Sequence, residues 1–596
     1  MRSERSTDNR STMAARRAWR PLGLLVVLCA GCGGGGGGSA PTPPTPPPPN
    51  QPPVVAKPNG TTLHATELHP FSYDLTQGGK TFVDPDGDPL QYSVTLASVS
   101  GDFHGAGTNV VGVPTHVGTA PTVTIEASDG RGGTVSDTVQ IVVNANAKPA
   151  VARPNRVLLV QPGQHVDYDP TQGGAAFTDA DGDRLSYATV AGVTPPGLSV
   201  VGGHVVGSLS SVGFATFEIT ASDGFGGTVV DKFGVAVPAP EPGRPVLPAV
   251  SYSYADAEQP FPWEFRFASE RFAPFWDTTA PGNGGVPPTN AGATLGRVLF
   301  YDKRLSVTNT HSCSSCHEQA HNFATPERFP TGILGVPLKR NAMSLANARY
   351  NFEMKYFIDQ RVFMLENLVL LPIEEQTELG NPLPMLVEKL ARTDFYGRLF
   401  TAAFGTPEVT PERIRDALSQ FVRSLISFRA RYDKAFHPMN VDDQVDPASV
   451  FTPEELRGLE IFTGVRTTAP ALPFTCATCH STTVHLMDAP SNNGLDVQSA
   501  DSGNAGTFRV ASLRNVALSG PYMHDGRFAT LREVIEHYDH GIQDSPQLSE
   551  HLRENRVDAP LRLNMSESDK DAIEAFLNTL TDTVFLNDPR FSDPFP

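Results

Sequence analysis

Two short stretches of this sequence combine cysteine and histidine at a spacing that can hold a redox cofactor. They are CSSCH at 313–317 and CATCH at 476–480. Two cysteines three positions apart lie on one helical turn, where each can form a thioether with one porphyrin vinyl group, and the following histidine can bind the iron. The pattern predicts two covalently bound haem c groups, with the proximal ligands His317 and His480 and the attachment sites Cys313, Cys316, Cys476 and Cys479.

A CxxC pair also occurs in zinc sites and in redox dithiols. A structural zinc site closes four ligands from two nearby pairs, or from one pair with spaced histidines. The two motifs here are far apart in the chain, and neither has a second CxxC beside it. The spacing therefore favours haem over zinc or a dithiol.

Composition limits the remaining function classes. The chain has 596 residues, enough for several domains, and a formal net charge of −18. Nucleic-acid binding needs a basic footprint, so the charge argues against such a partner. Four of the six cysteines belong to the haem motifs, and the other two are Cys29 and Cys32. No pair remains for structural disulfides in the folded part of the chain.

Residues 1–32 resemble an export signal. Basic residues precede the apolar run Leu22–Ala30, which is shorter than the ~20 apolar residues that span a bilayer. Leu28–Cys32 resembles a bacterial lipobox and predicts Cys32 as a lipid-modified first residue, with an ordinary secretory signal as the alternative. Both predict export to the periplasm or cell surface, and the lipobox predicts anchoring to a bacterial membrane. Residues 33–53 are rich in Gly and Pro and predict a tether.

The next region contains an internal repeat. DLTQGG at 74–79, DPDGD at 84–88 and ASDG at 127–130 return as DPTQGG at 169–174, DADGD at 179–183 and ASDG at 221–224. The period of about 95 residues is that of one small sandwich domain, and apolar residues alternate with polar ones before each ASDG. We predict two all-β sandwiches, at 54–146 and 147–238, which resemble Ig-like and cadherin-like modules of bacterial surface proteins. Without a catalytic set of their own, they are interpreted as spacers or adhesive modules.

The DPDGD and DADGD clusters of the two repeats have two interpretations. Carboxylate oxygens around a tight glycine turn are ligands that Ca²⁺ prefers. The same residues are favoured in an Asx turn at the end of a strand, where no ion is needed. The sequence leaves both open.

After a Pro- and aromatic-rich linker at 239–290, the pattern becomes helical. Helix starts are predicted at Thr410–Glu412, at the capping box Thr452–Glu455 and at Ser566–Asp569, each followed by apolar residues at helical spacing. We predict two mainly α, cytochrome c-like haem domains, at 291–440 and 441–585, each with one CxxCH motif.

Residues 290–582 resemble the di-haem cytochrome c peroxidases and their MauG-type relatives. The similarity is carried by LGRVLFY at 295–301, LRN at 513–515 and PYMHDGRF at 521–528, with both haem motifs in order. It implies that the His317 haem reacts with hydrogen peroxide. The His480 haem would transfer electrons from a small donor protein such as a cytochrome c or a cupredoxin.

The resemblance also implies roles for individual residues. Glu378 takes the place of the family's distal acid–base catalyst. Tyr538 takes the place of the peroxidases' axial methionine and of the tyrosine in MauG, with Met523 and His524 as alternative ligands of the second haem. A Ca²⁺ ion between the haem domains is implied too, and its ligands would be the Asn341 side chain and the backbone carbonyls of Ser519 and Pro521.

Two departures from the family pattern concern access and charge transfer. No histidine lies between Phe323 and Arg340 that could close the peroxide-reacting iron, and His321 is expected on a helix continuing from His317 in a structural role. An iron open at rest is a MauG-like trait. The family's inter-haem tryptophan is replaced by Ile358, which cannot carry a hole between the haems.

Three functions follow from these observations. The first is an exported di-haem peroxidase that uses Glu378 as its acid–base catalyst. The second is a MauG-like enzyme that oxidises residues of a partner protein. The third is a non-catalytic electron-transfer or adhesion protein of the cell surface, with the sandwich repeats as its working part.

Overall fold

The computed structural model describes residues 47–97, 102–118, 121–259, 279, 284–351, 354–436, 445–464, 475–480, 491–496 and 506–596. The predicted signal and the proposed lipid site Cys32 lie outside these ranges. The chain divides into two compact units, Met1–Asn144 and Ala145–Pro596. Among the described residues, no helix has both the length and the apolar character needed to cross a membrane.

The first unit contains an all-β sandwich. A four-stranded sheet in the order β2-β9-β8-β5 and a three-stranded sheet in the order β3-β7-β6 enclose one core, in which Val123, Ile125 and Ala127 are fully buried. The strict alternation of these residues along β8 explains why only one face of the strand is apolar. The strands are β1 Val54–Val55, β2 Thr62–Thr66, β3 Phe71–Asp74, β4 Phe82–Val83, β5 Gln91–Leu96, β6 Phe103–Ala106, β7 Asn109–Gly112, β8 Thr122–Ser128 and β9 Thr134–Asn144.

The second sandwich repeats this topology at the start of the second unit. Its sheets run β11-β18-β17-β14 and β12-β16-β15, and its core contains Phe217, Ile219 and Ala221. The internal repeat predicted from the sequence is therefore confirmed. The strands are β10 Ala150–Val151, β11 Leu158–Leu159, β12 Val166–Tyr168, β13 Phe177–Thr178, β14 Ser186–Ala191, β15 Leu198–Val201, β16 His204–Gly207, β17 Gly213–Ser222 and β18 Thr228–Val237.

The first haem domain is mainly helical, as predicted. Helix α1 crosses α6 at Gly296, where an added Cβ would lie 1.9 Å from the Ala417 carbonyl oxygen, so only glycine allows this approach. Thr410 caps α6 by accepting a hydrogen bond from the Arg413 N–H. The elements are α1 Asn290–Tyr301, β19 Lys355–Tyr356, β20 Val362–Phe363, α2 Leu365–Leu368, α3 Leu371–Glu374, α4 Leu383–Arg392, α5 Tyr396–Phe404, α6 Pro411–Ser424 and α7 Arg431–Phe436.

The second haem domain uses the same kind of crossing. Helix α9 crosses α11 at Gly458, where a Cβ would lie 1.9 Å from the Ala572 carbonyl oxygen. The capping box Thr452–Glu455 is formed, and Ser566 caps α11. The helices are α8 Pro447–Val450, α9 Pro453–Thr463, α10 Leu531–Glu536, α11 Glu567–Asn578 and α12 Thr583–Leu586.

Segments expected to connect domains are packed onto the haem half. Tyr254, from the predicted linker, is 3% exposed and donates a hydrogen bond to the Arg590 carbonyl at 2.6 Å. The second sandwich shares an apolar cluster with the first haem domain through Phe214 and Val307. The second repeat is therefore packed against the first haem domain through an apolar contact separate from the core of each.

Candidate active site

The first haem motif forms a short 3₁₀ turn at Cys313–Ser315, closed by a hydrogen bond from the His317 N–H to the Cys313 carbonyl at 3.0 Å. The His317 Nδ1 is 2.8 Å from the Phe323 carbonyl oxygen, to which it donates in the tautomer protonated at Nδ1. Desolvation lowers the pKa of His317, which favours the neutral imidazole. A neutral ring held through Nδ1 is the form of histidine that binds a metal.

His321 is not on a continuation of the His317 turn. It lies in a separate 3₁₀ turn, Gln319–His321, and Asn322 and Phe323 beyond it have φ of 61° and 57°. Its side chain is 39% exposed and lies 3.8 Å from the Glu318 carboxylate. The expected helix is wrong, because left-handed residues end the turn.

Glu378 lies on a tight turn after α3. Its N–H donates to the Glu375 carbonyl at 2.9 Å, and its carbonyl accepts from the Ile333 N–H at 3.0 Å. Desolvation and the charge of Glu375 raise the pKa of Glu378 to about 6, against the opposing effect of Arg361. A carboxyl in this range can both accept and return a proton near neutral pH.

The Glu378 carboxyl is electrostatically coupled to the first haem motif. Desolvation raises the pKa values of Cys313 and Cys316 to about 12, and the charge of Glu378 adds to both shifts. This coupling means that the structure brings together the motif and the acid–base residue that the sequence separates by some sixty positions.

The second haem motif repeats the backbone of the first. Cys476–Thr478 forms a 3₁₀ turn, and the His480 N–H donates to the Cys476 carbonyl at 2.9 Å. All four motif cysteines are free thiols, and desolvation raises the pKa of Cys476 to about 12 and also raises that of Cys479. The two motifs therefore share one local backbone geometry.

Tyr538 lies beside the second motif. The capping box of Thr530 and Glu533 starts α10, which continues into a π-helical turn at His537–Gly541. Desolvation, with smaller contributions from the charges of Cys479 and Cys476, raises the pKa of Tyr538 to about 12 against the opposing effect of a hydrogen bond from Asn493. The predicted axial ligand and the second haem motif are therefore neighbours, and a π-helical turn of this kind is frequent at functional sites.

Asn493 is a site residue that the sequence analysis missed. Its side chain hydrogen-bonds Tyr538, and its Nδ2 lies 3.4 Å from Sδ of Met523. The alternative ligand Met523 thus lies at the same place, whereas the His524 ring stacks on Phe508 with centroids 4.1 Å apart. No spacing in the sequence marks Asn493, because it lies within an ordinary Asn-Asn-Gly stretch at 492–494.

The proposed inter-domain calcium ligand Asn341 lies where the two haem domains meet. Its N–H donates to the His524 carbonyl at 3.0 Å, three residues after Pro521, and its Nδ2 donates to the Glu327 carbonyl at 3.0 Å. At the same junction the Ile358 carbonyl accepts from the Arg509 N–H at 2.7 Å. The Ile358 backbone is therefore bonded to a residue of the second haem domain.

The acidic clusters of the repeats form an Asx turn and also bring carboxylate oxygens close enough together to bind a cation. The Asp84 Oδ1 accepts from the Asp86 and Asp88 N–H groups at 2.9 and 3.1 Å, as an Asx turn requires. The three carboxylates also offer oxygens within 4.8 Å of one another, as do Asp179, Asp181 and Asp183. The Oδ2 atoms of Asp84 and Asp179 are buried without a hydrogen-bond partner, which suits a cation.

Comparison with known proteins gives a consistent result. A family model for di-haem cytochrome c peroxidase matches residues 290–440, and one for a bacterial Ig domain matches residues 50–142. Methylamine utilization protein MauG of Methylophilus methylotrophus is 30% identical over 303 residues, which cover 49% of this chain and 83% of that protein. Cytochrome c551 peroxidase of Nitrosomonas europaea is 27% identical over 311 residues, which cover 50% of this chain and 82% of that protein. The crystal structure of a MauG-like protein associated with microbial copper homeostasis is 30% identical with a TM-score of 0.43, and the match covers 52% of this chain and 94% of that one.

Proposed function

This chain belongs to the di-haem cytochrome c peroxidase and MauG family, and from that premise we propose that it is an exported peroxidase that reduces hydrogen peroxide with electrons from a small redox protein. The observation that supports this most directly is the half-buried Glu378 carboxyl, with a pKa of about 6, coupled to Cys313 and Cys316. A carboxyl of this kind suits proton transfer at a peroxide site.

His317 and Glu378 have different roles at the proposed site. Haem, when bound, supplies the iron and the redox chemistry. His317 would bind that iron through Nε2 while Nδ1 is bonded to the Phe323 carbonyl. Glu378 would accept the proton of the peroxide oxygen nearer the iron and return it to the far oxygen, so that the O–O bond breaks and the far oxygen leaves as water. Two electrons from the donor protein and two protons from solvent would reduce the remaining oxygen to a second water.

Turnover with a protein donor tests the peroxidase proposal. The holoprotein is mixed with hydrogen peroxide and reduced cytochrome c, and donor oxidation is followed by absorbance. Rapid, catalytic oxidation supports the peroxidase, and peroxide consumption without donor oxidation contradicts it. Electron paramagnetic resonance of the resting ferric protein tests the non-catalytic alternative, which a high-spin signal from the first haem would exclude.

A MauG-like activity on a partner protein is the second candidate. The half-buried Tyr538 beside Cys476 and Cys479 supports it, because an oxygen ligand stabilises ferric and higher states of iron, whereas a methionine sulfur favours ferrous iron. Such a haem suits storage of oxidising equivalents. If Tyr538→Met creates rapid cytochrome c turnover that the native protein lacks, the MauG-like function is favoured.

Calcium is proposed at two kinds of site. Between the haem domains, Asn341 with the carbonyls of Ser519 and Pro521 would bind one ion, and the partnerless oxygens of Asp84 and Asp179 support one in each repeat. Calcium should raise the unfolding temperature of the chelator-treated protein. Asp84→Asn should remove the contribution of the first repeat, and an unchanged response would contradict that site.

Export and anchoring are also proposed, on the residues of the signal alone. Cys32 would carry the lipid, and the protein would be found at the periplasmic or outer face of a bacterial membrane. Cys32→Ser should move the protein from the membrane fraction to the soluble exported fraction. Retention of the variant at the membrane would contradict lipid anchoring.

A further inference from the structure

The second Ig-like repeat packs against the part of the haem half that carries Glu378. Phe214 in β17 and Ala236 in β18 form one apolar cluster with Val307 and Ile333 of the first haem domain. Phe214 and Val307 are each 1% exposed. Alternate residues of β17, beginning with Ala215, form the repeat's own core, so the Phe214 ring lies on the opposite face of the sheet.

Both buried haem-domain members of this cluster, Val307 and Ile333, are bonded to the Glu378 turn. The Val307 N–H donates to the Leu379 carbonyl at 2.9 Å, and the Ile333 N–H donates to the Glu378 carbonyl at 3.0 Å. These two hydrogen bonds fix the backbone of the catalytic turn to the residues on which Phe214 packs.

The Phe214 ring also contacts the turn directly. A Cβ added to Gly380 would lie 3.1 Å from Cε1 of Phe214 and 2.6 Å from Cδ1 of Ile333. The ring therefore lies against the backbone two residues after Glu378. Removing it would leave a cavity behind the turn, into which the turn could shift.

The chain segment that leaves the repeat is bonded to the residues on either side of Val307. The Ala239 N–H donates to the Thr308 carbonyl at 2.7 Å, and the Asn309 Nδ2 donates to the Ala239 carbonyl at 3.0 Å. Arg304 donates to the Glu241 carboxylate at 2.7 Å. These residues directly precede the first haem motif, so the repeat holds both chain segments that bring Glu378 and Cys313 together.

Comparison of the two repeats shows that the sandwich itself does not require this ring. Phe214 stands seven residues before Ala221, and the residue seven before the matching Ala127 is Ala120. The inward residues Ile125 and Ile219 are the same in both repeats and fully buried. The aromatic residue is thus found in the repeat that packs on the haem domain, on the face that makes this contact.

We propose that Phe214 is a positioning residue for Glu378, and that the second Ig-like repeat is a structural part of the peroxide site. The proposal rests on the proposed function of Glu378 in proton transfer. Catalysis of that kind depends on a fixed geometry, and a displacement of ~1 Å can cost about a hundredfold in rate.

The test uses the full-length holoprotein and the rate at which its Soret band changes after mixing with hydrogen peroxide. Phe214→Ala should lower the second-order rate constant by roughly tenfold to a hundredfold. Phe214→Leu, which keeps apolar bulk, should restore most of it. Val230→Ala, at a 47% exposed position on the same repeat, is the matched control and should react like the wild type. Reduction of the haems by ascorbate should be unchanged in all three.

Hydrogen–deuterium exchange separates positioning from unfolding of the repeat. In Phe214→Ala, the amides of residues 375–381 should exchange faster, while those of the repeat's core strand at 217–222 keep wild-type protection. Ile333→Ala perturbs the same contact from the haem side and should give the same pattern without altering the repeat.

Two outcomes distinguish this proposal from the function on which it rests. A wild-type rate in Glu378→Gln would overturn the proposed role of Glu378 itself. If Glu378→Gln is slow but Phe214→Ala and Ile333→Ala keep the wild-type rate and the wild-type exchange of residues 375–381, then only the positioning role is overturned.

Discussion

The two haem domains share a scaffold and differ in what their loops place beside it. Each has a helix crossing closed at a glycine, Gly296 in the first and Gly458 in the second. In each domain the CxxCH turn is closed by a hydrogen bond from the histidine N–H to the carbonyl of the first cysteine. This bond is 3.0 Å long in the first domain and 2.9 Å in the second. Beside the first turn lies the Glu378 carboxyl, and beside the second lies the Tyr538 phenol. The helix crossing and the motif turn are thus alike in the two domains, while the residues beside the turns differ.

Desolvation acts on both residues with different consequences. It raises the pKa of Glu378 to about 6 and that of Tyr538 to about 12. The carboxyl can therefore exchange protons near neutral pH, whereas the phenol loses its proton there only to a strong electrophile such as a metal ion. The same physical effect is therefore consistent with the proposed roles of Glu378 in proton transfer and of Tyr538 in iron ligation.

Removing the Glu378 carboxyl should cause the largest loss of activity among the changes that test this comparison. Glu378→Gln keeps the shape of the side chain but removes the proton acceptor, so the rate constant for reaction with peroxide should fall by roughly 10²–10⁴-fold. Stopped-flow mixing measures that rate. The matched control is Glu375→Gln, an exposed neighbour three residues earlier, which should stay within a few-fold of wild type. Equal losses in both variants would mean that charge near the turn matters rather than the Glu378 carboxyl.

Replacing the phenol should change the second haem and leave the peroxide step intact. Tyr538→Met exchanges an oxygen ligand for sulfur and should raise the reduction potential of one haem by on the order of 0.1 V, since axial ligands set haem potentials over roughly 0.8 V. Spectroelectrochemical titration measures it. The control is Tyr538→Phe, which keeps the packing of the ring but removes the phenol oxygen. If Tyr538→Phe leaves both the potential and the low-spin signal unchanged, Met523 or His524 is the ligand instead.

The pH dependence of the peroxide reaction should report Glu378. The carboxylate is the reactive form, and its pKa is raised, so activity is lost at a higher pH than for an ordinary glutamate. Between pH 7 and pH 5 the rate constant should fall by about tenfold, and above pH 7 it should level off. Glu378→Gln should abolish this dependence. An inflection near pH 4 in the wild type would show that the carboxyl is fully solvated in the holoprotein.

Local signals in the sequence were sufficient for much of this architecture. The cap residues Thr410, Thr452 and Ser566 begin helices as predicted, because capping depends only on neighbouring backbone N–H groups. The duplicated strands were predicted from alternation with a period of two. The division into two haem domains followed from two motifs that each carry their own cofactor.

Features that depend on distant contacts were not predictable. In the sequence, Phe214 is one more apolar residue in an apolar strand, and only the fold shows that it lies on the face opposite the repeat's core. The positive φ at Asn322 that ends the turn of His321 has no unique signal, and neither does Asn493 beside Tyr538. The role of Glu378 was inferred from family resemblance and not from spacing. The turn that carries Glu378 is positioned by hydrogen bonds from Ile333 and Val307, which are distant from it in the sequence.

The smallest expected effects test whether the two scaffolds are equivalent. Gly296→Ala and Gly458→Ala each add a Cβ at 1.9 Å from a backbone carbonyl oxygen, which cannot move without separating the helices. Each should lower the free energy of unfolding of its domain by about 1–3 kcal/mol, as overpacking does. Gly397→Ala is the control, since its nearest neighbour is the Pro407 Cβ at 3.6 Å, and it should be neutral or stabilising by up to ~1 kcal/mol. Thermal unfolding followed in the Soret band measures all three. Similar losses of unfolding free energy at Gly296 and Gly458 would mean that the two crossings are equivalent and that the functional difference arises in the loops. A loss at only one of them would show that the scaffolds themselves differ.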